Sequence, residues 1–349
     1  MTHPLASNAA SPSLTCHPNR SAAEGSFVSA AHPPVTIKIV TNSAPKPIPA
    51  PNLSRFPWLI HGFSTRTGGF SKLYQPLSQN GTDAAPGGQL NLGFTADDRP
   101  AVVRRNRNAF LTAVGAVRRD GNPWPLITLR QIHSDVIHLV TQSVVAKYAD
   151  APPSRQLVGD GMVTNRTGVA LAVQSADCLP IVIADVKTHA IGVFHAGWRG
   201  TLKRIAVKGA GRMKLHFGSK FNDLRVAIGP GIGPCCYEVG EEIREKFAAQ
   251  FSFSAQVFQE VEDPDGLHRK YPMLFLNQRA PGHGPLLNKL MLDLAEANRL
   301  QLLELGVPAK NIYVVPLCTA CNTDQFFSHR AEFGKTGRMM GAAGLLRKK

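Results

Sequence analysis

Three side chains with the chemistry of metal ligands stand where short apolar runs end: His133 in RQIH, Cys178 in SADCLPI and His195 in GVFHAGWRG. One thiolate and two neutral imidazoles leave the fourth position of a tetrahedral zinc open, which is what a catalytic zinc needs to hold a water or a substrate atom. Such a site keeps one net positive charge and lowers the pKa of a bound water toward about 7. A second reading uses the same residues as a dyad, with His195 activating Cys178 as a nucleophile. Taken singly, each is an ordinary buried cysteine or hydrogen-bonded histidine. What groups them is a shared place at the ends of apolar runs, where strands deliver side chains to one rim of a sheet. At this level metal centre and dyad both stay open.

Asp177 precedes Cys178 and is a candidate for proton transfer, for orienting a ligand imidazole, or for capping a turn. Adjacent residues of an extended strand point to opposite faces, so Asp177 and Cys178 share a site only if the strand has ended, which Leu179-Pro180 favours. Three cations sit in ligand-friendly surroundings: Arg66 in STRTGGFS, Arg199 in HAGWRG and Arg330 in FFSHR. A guanidinium grips phosphate through two hydrogen bonds, and nearby glycines let a ligand approach the backbone, so Arg66 and Arg199 are the favoured substrate contacts. GPGIGPCCYEVG fits neither a P-loop nor a dinucleotide fingerprint and reads as a tight turn. Cys318 and Cys321 make an isolated CxxC, a weak zinc signal. Cys235 and Cys236 would complete it only awkwardly, since adjacent cysteines seldom present both sulfurs to one tetrahedral ion.

The elements that must position these residues are mixed α and β. Candidate strands are LIHGFS, PLITLRQIH, DVIHLV, VALAVQS, LPIVIADV, AIGVFHA, LRVAIGP and NIYVVP. Candidate helices cover 98–114, about 201–216, 240–250 and 285–305. In the last, Leu287, Leu290, Met291 and Leu294 follow the i, i+3, i+4, i+7 spacing and Gly306 lies just past the end. Residues 1–52, rich in Ala, Ser, Pro and Asn, read as a disordered extension, and 53–349 as a single compact domain without repeats.

Composition excludes several classes. The net charge of +15 is spread along all 349 residues without a basic tract interleaved with aromatics, so nucleic acid is not the expected partner and anionic small molecules are. No apolar run is long enough to span a bilayer, and six cysteines in a chain of this length do not form a disulfide framework, so a reducing cytoplasm is expected.

With these motifs assembled, the chain from Phe56 onward resembles the bacterial purine nucleoside phosphorylase family, the laccase-domain proteins formerly described as multicopper polyphenol oxidases. HGFSTRTGG, NLG, RQIH, GDGMVT, SADCLPI, GVFHAGWRG, IGPGIGPCCYEVG and CT…FFSHR…GRMMG occur in the family's order. The resemblance implies a four-layer α/β/β/α arrangement of mixed sheets and a zinc held by His133, Cys178 and His195, with copper as an alternative occupant. It implies phosphorolysis of adenosine, inosine, guanosine and S-methyl-5′-thioadenosine, with adenosine deamination at the same site. The partners are then purine nucleosides and inorganic phosphate. Arg66 matches a motif arginine and is carried over as a phosphate or substrate contact, and Asp177 is the candidate proton shuttle. Cys321 departs from the pattern, which mainly supplies the position of Cys318. A multicopper oxidase would need many histidines in paired HxH motifs, and HxH is absent. A Cys178/His195 hydrolase or deamidase and a zinc-stabilised interaction module are the remaining alternatives.

Overall fold

The 179–185 run is apolar without a break because both of its faces are covered. Val182 and Ala184 face a second sheet, whereas Ile181 and Ile183 face helices. The computed structural model describes residues 44–74, 88–262 and 288–347. Two mixed sheets carry the site. Their strands are, in chain order, β1 (Leu59–Phe63), β2 (Leu126–Ile127), β3 (Ile137–Leu139), β4 (Gly161–Thr164), β5 (Ala170–Ser175), β6 (Leu179–Asp185), β7 (Ala190–Ala196), β8 (Leu224–Ile228), β9 (Ile312–Val314) and β10 (Met339–Leu345). One sheet has the order β1-β10-β5-β2 and the other β9-β8-β6-β7-β4-β3. The β2/β5, β3/β4 and β8/β9 pairs are parallel and the other pairs in these sheets antiparallel.

Five helices complete the layers: α1 (Pro100–Ala113), α2 (Trp198–Leu202), α3 (Ile205–Phe217), α4 (Glu241–Ala248) and α5 (Leu294–Glu304). The inner core lies between the sheets, with Phe63, Leu171, Val173, Val182, Val193 and Ala343 packed together. Phe110 and Leu111 of α1 cover the outer face of the first sheet against Ala170, Ala172 and Ala342. On the outer face of the second, Ile205, Ala210 and Met213 of α3 and Leu294, Ala297 and Leu302 of α5 pack against Ile181, Ile183 and Phe194. This is the α/β/β/α arrangement that the resemblance implied.

Three expectations need correction. The folded domain begins before residue 53: Ile48 exchanges both backbone hydrogen bonds with Phe63, Ala50 is fully buried, and the Asn52 side chain donates to Val226 and Asn311 carbonyls. Pro-rich composition hid this edge pairing, while residues 1–43 lie outside the described residues. The 285–305 helix is two elements. Asn288–Leu292 is a strand paired with Glu238–Val239 on one side and Phe258–Glu262 on the other. The helix starts only at Leu294, where the Asp293 carboxylate accepts the Glu296 N–H. A spacing of i, i+3, i+4, i+7 over eight residues does not distinguish a helix from a strand followed by a helix. Leu287 lies outside the described residues, and Gly306 does follow the helix end as expected. The helix expected near 201–216 is split into α2 and α3 at Arg204, whose φ is +61°.

β10 was not foreseen, because MMGAAGL lacks the β-branched and aromatic residues that mark strands. Its small residues answer a packing demand. A Cβ on Gly341 would stand 2.5 Å from the Pro180 Cβ and 3.0 Å from Phe63, so only glycine lets the two sheets close where β6 begins. Gly341→Ala is therefore expected to destabilise the fold by about 1–3 kcal/mol, the usual cost of overpacking. Urea denaturation checks this, and an unchanged midpoint would contradict it.

Candidate metal centre

β5 belongs to one sheet and β6 to the other, and only Ala176, Asp177 and Cys178 join them. The strand has ended there, as Asp177 and Cys178 must have it to serve one site, and Asp177 adopts φ +88° to make the crossing. In the β6/β7 register His195 lies opposite Pro180, so β7 brings His195 to the same end of the sheet as Cys178. His133 arrives from the loop after Leu129–Arg130 with φ +58°. One donor atom from each of the three comes within 4.8 Å of the others, and the Cys178 Sγ stands 3.8 Å from the His133 Nε2. Bond lengths of about 2.0–2.3 Å to a tetrahedral zinc require donor separations of this order. The donor set therefore fits zinc: one thiolate and two imidazoles, with His195 buried and His133 exposed at the rim. Gly197 leaves the room. A Cβ there would meet the Cys178 Sγ at 2.8 Å and the His133 ring at 3.1 Å.

One carboxylate organises two of the three ligands. Asp160, fully buried at the entry to β4, accepts the Nδ1–H of His195 at 2.9 Å, which leaves Nε2 as the free donor atom. The same carboxylate accepts the backbone N–H groups of Ile132, His133 and Ser134 and the Ser134 hydroxyl. It thereby fixes the loop that carries His133. Burial pushes the Asp160 carboxyl up, but the hydrogen bonds from His195 and Ser134 outweigh it and hold the group well below the ordinary carboxylate range. Of the three readings of Asp177, orienting a ligand imidazole falls to Asp160 instead, for the Asp177 carboxylate is bonded to Thr319 and Arg330.

In the absence of metal the cluster holds a thiolate beside an imidazolium. Burial raises the Cys178 thiol, yet the neighbouring His195 charge and the hydrogen bond from His133 bring it down to about 6. Burial lowers His195, and Cys178 and Asp160 together raise it to about 9. The Cys178 contribution to stability is lost as pH falls through about 6, and that of His195 as pH rises through about 9, so the charged pair exists between these values. A metal ion held here would take the place of the proton on His195 Nε2.

The other predicted residues divide. Asp177 has both carboxylate oxygens engaged, Oδ1 by the Thr319 hydroxyl and Oδ2 by the Arg330 backbone N–H, each at 2.7 Å. Arg199 is exposed at the start of α2, four residues after His195, with its guanidinium 4.3 Å over the Trp198 ring. Arg330 is also exposed; it donates to the Glu238 carbonyl and lies over Tyr237. Burial keeps the Tyr237 hydroxyl protonated, and the charges of Cys178, Arg330, Asp177 and Arg199 act on it. Arg66 is corrected. Its side chain is 1% exposed and its donors go to Gln89, Glu332 and the carbonyls of Tyr74, Thr323 and Phe326. A guanidinium so bonded and buried ties the 66–74 segment to the 323–332 segment and presents no face to solvent. Asp160 and Tyr237 were missed, although Asp160 carried a signal: an acid between two glycines at the mouth of an apolar run, GDGMVT.

Two mixed sheets closed by outer helices, with a His₂Cys cluster that could hold a metal ion at the crossing between them, define an α/β/β/α protein with a candidate metal site. The chain belongs to the family described as "Multi-copper polyphenol oxidoreductase laccase", whose model matches residues 60–346. It is similar to "Purine nucleoside phosphorylase YlmD" of Geobacillus stearothermophilus, at 34% identity over 294 residues, 83% of this chain and 91% of that protein. The crystal structure of YlmD from that organism superposes with a TM-score of 0.66 at 30% identity, covering 85% of this chain and 94% of that one. "Adenosine deaminase RL5", from an unknown prokaryotic organism, is 32% identical over 224 residues, 64% of this chain and 75% of that protein. Among the described residues no helix is long and apolar enough to cross a membrane.

Two measurements test the geometry. Asp160→Asn is expected to weaken metal retention about 10–100-fold, as loss of a carboxylate behind a ligand histidine does. Protection of Cys178 from alkylation during chelator titration reads this, and wild-type protection would contradict the role of Asp160. In metal-free protein, alkylation of Cys178 followed by peptide mass spectrometry should rise with pH around a midpoint near 6, not near the ordinary thiol value of 9.0.

Proposed function

We propose that this chain is a zinc-dependent purine nucleoside phosphorylase that acts on adenosine, inosine, guanosine and S-methyl-5′-thioadenosine, and that the same site deaminates adenosine to inosine. The observation that carries this reading is the His133/Cys178/His195 donor set, open toward solvent at His133, with two exposed arginines attached to it: Arg199, four residues after His195, and Arg330, whose backbone N–H holds Asp177 beside Cys178. The names of the relatives, phosphorylases and a deaminase, support the substrate class. When bound, zinc supplies Lewis-acid polarisation at its fourth position. The free thiols of the described cysteines suit a reducing cytoplasm.

In phosphorolysis an oxygen of phosphate bonds to C1′ of the ribose as the bond from C1′ to the purine nitrogen breaks, and the bonding pair leaves with the base. Arg199 holds the phosphate through paired N–H donors, and its stacking on Trp198 limits the freedom lost on binding. Arg330, tethered over Tyr237, neutralises the remaining phosphate charge. The Tyr237 hydroxyl, kept protonated, donates a hydrogen bond to a sugar or phosphate oxygen. In deamination water adds at C6, and Asp177 takes a proton from that water and delivers it to the departing amino nitrogen. The Thr319 hydroxyl and the Arg330 amide hold the Asp177 carboxylate in place for this exchange.

A second reading, a Cys178/His195 hydrolase or deamidase, draws on the thiolate and imidazolium of the metal-free cluster. Chelation and alkylation separate the two, since a hydrolase of this kind survives chelation. The decisive assay is chromatography of purine nucleosides incubated with protein of known metal content, with and without phosphate. Free base and ribose 1-phosphate should appear only with phosphate and vanish in Cys178→Ala. Asp177→Asn should lower deamination by about 100-fold or more while phosphorolysis persists. No turnover of any purine nucleoside by zinc-loaded protein would contradict the proposal.

A further inference from the structure

We propose that Cys235, Cys236, Cys318 and Cys321 bind a second zinc ion, in a closed tetrathiolate site that clamps the loops beside the first centre. The four sulfurs lie within 4.8 Å of one another; Cys321 stands 3.4 Å from Cys235 and 3.3 Å from Cys236. Four thiolates at about 2.3 Å from one zinc lie roughly 3.8 Å apart. The observed separations are close to that edge and well beyond the roughly 2.05 Å of a disulfide. An iron–sulfur cluster, with several metal ions between its cysteines, would hold opposite sulfurs farther apart than this cluster does.

The backbone explains how neighbouring cysteines share one ion. Both Cys236 and Tyr237 donate their N–H groups to the Gly233 carbonyl, so the chain here makes a single helical turn. Successive side chains then differ by about 100° instead of the 180° of a strand, and both sulfurs can face one point. Opposite them Cys318 and Cys321 flank a second turn, closed by the Asn322 N–H on the Cys318 carbonyl. The Gly233 N–H donates to the Cys318 sulfur at 3.2 Å, a bond that favours the thiolate form a metal ligand requires.

Four protein ligands leave no open position, so the site is structural. Its place in the fold gives it a purpose. The two turns follow the adjacent parallel strands β8 and β9, and they meet at the Gly231/Cys318 bridge. Both also grip Asp177: the Ile232 N–H donates to its carbonyl, and the Thr319 hydroxyl donates to its carboxylate. A zinc between the turns fixes them, and with them Asp177 and Tyr237, against the Cys178 crossing. This second site does not depend on the nucleoside reading.

The test is metal stoichiometry on the full chain, expressed with zinc and purified under reducing conditions without chelator. Wild type should carry two zinc ions per chain, Cys178→Ala one, and the Cys318→Ser/Cys321→Ser double variant one together with a lower melting temperature. Cobalt loaded into Cys178→Ala should show the visible bands and thiolate charge transfer of a tetrahedral tetrathiolate ion, and this arm decides the matter if the double variant does not fold. Cys178→Ala protein free of zinc and without that cobalt spectrum would overturn the proposal. So would a double variant with as much zinc as wild type, or an intact mass showing these cysteines joined in disulfides. Failure to turn over nucleosides would leave the metal count unchanged, so the two claims fail separately.

Discussion

The Asp160 carboxylate is the group on which the site depends. It is buried, and the His195 ring, three successive amides and the Ser134 hydroxyl satisfy it. A buried carboxylate is tolerated only when hydrogen bonds replace the lost water, and here the replacing groups belong to the segments that carry His133 and His195. Satisfying Asp160 and assembling the ligands are thus one event. The positive φ of His133 is a local strain that this network holds in place.

The second constraint is the three-residue crossing between the sheets. Because β5 and β6 belong to different sheets, the chain must turn sharply at 176–178, and Cys178 emerges at the junction and not on a strand face. The close approach of Gly341 to Pro180 and the room left by Gly197 serve the same junction from two sides. Strands therefore carry His195 and flank Cys178 on both sides, whereas His133 and Arg330 come from loops and Arg199 from the first turn of α2. That division suits a centre whose ligands must stay fixed while substrate enters from solvent.

Much of this was legible in the sequence, for physical reasons. The ligand trio stood at the ends of apolar runs, and those runs are the strands that carry or flank it. β6 and β7 could be read almost to the residue because burial on both faces makes them continuous. What escaped notice depended on partners distant in the chain. β10 is rich in Gly and Ala because the opposing sheet leaves no space, a demand that is invisible locally. Arg66 resembled an anion contact until its carbonyl partners, more than 250 residues away for Thr323 and Phe326, filled its donors. Cys235 and Cys236 looked awkward for one ion because adjacent cysteines seldom present both sulfurs to one point, whereas the helical turn at 233–237 brings both to Cys321.

The central claim is that His133, Cys178 and His195 share one metal ion with an open position. Anomalous diffraction at the zinc edge from crystals of the zinc-loaded protein tests it most directly. The account predicts a peak about 2.0–2.3 Å from the Cys178 sulfur and from one ring nitrogen of each histidine, with a fourth position occupied by no protein atom. Density that shows the three side chains ordered as here, with no anomalous peak between them at saturating zinc, would contradict it.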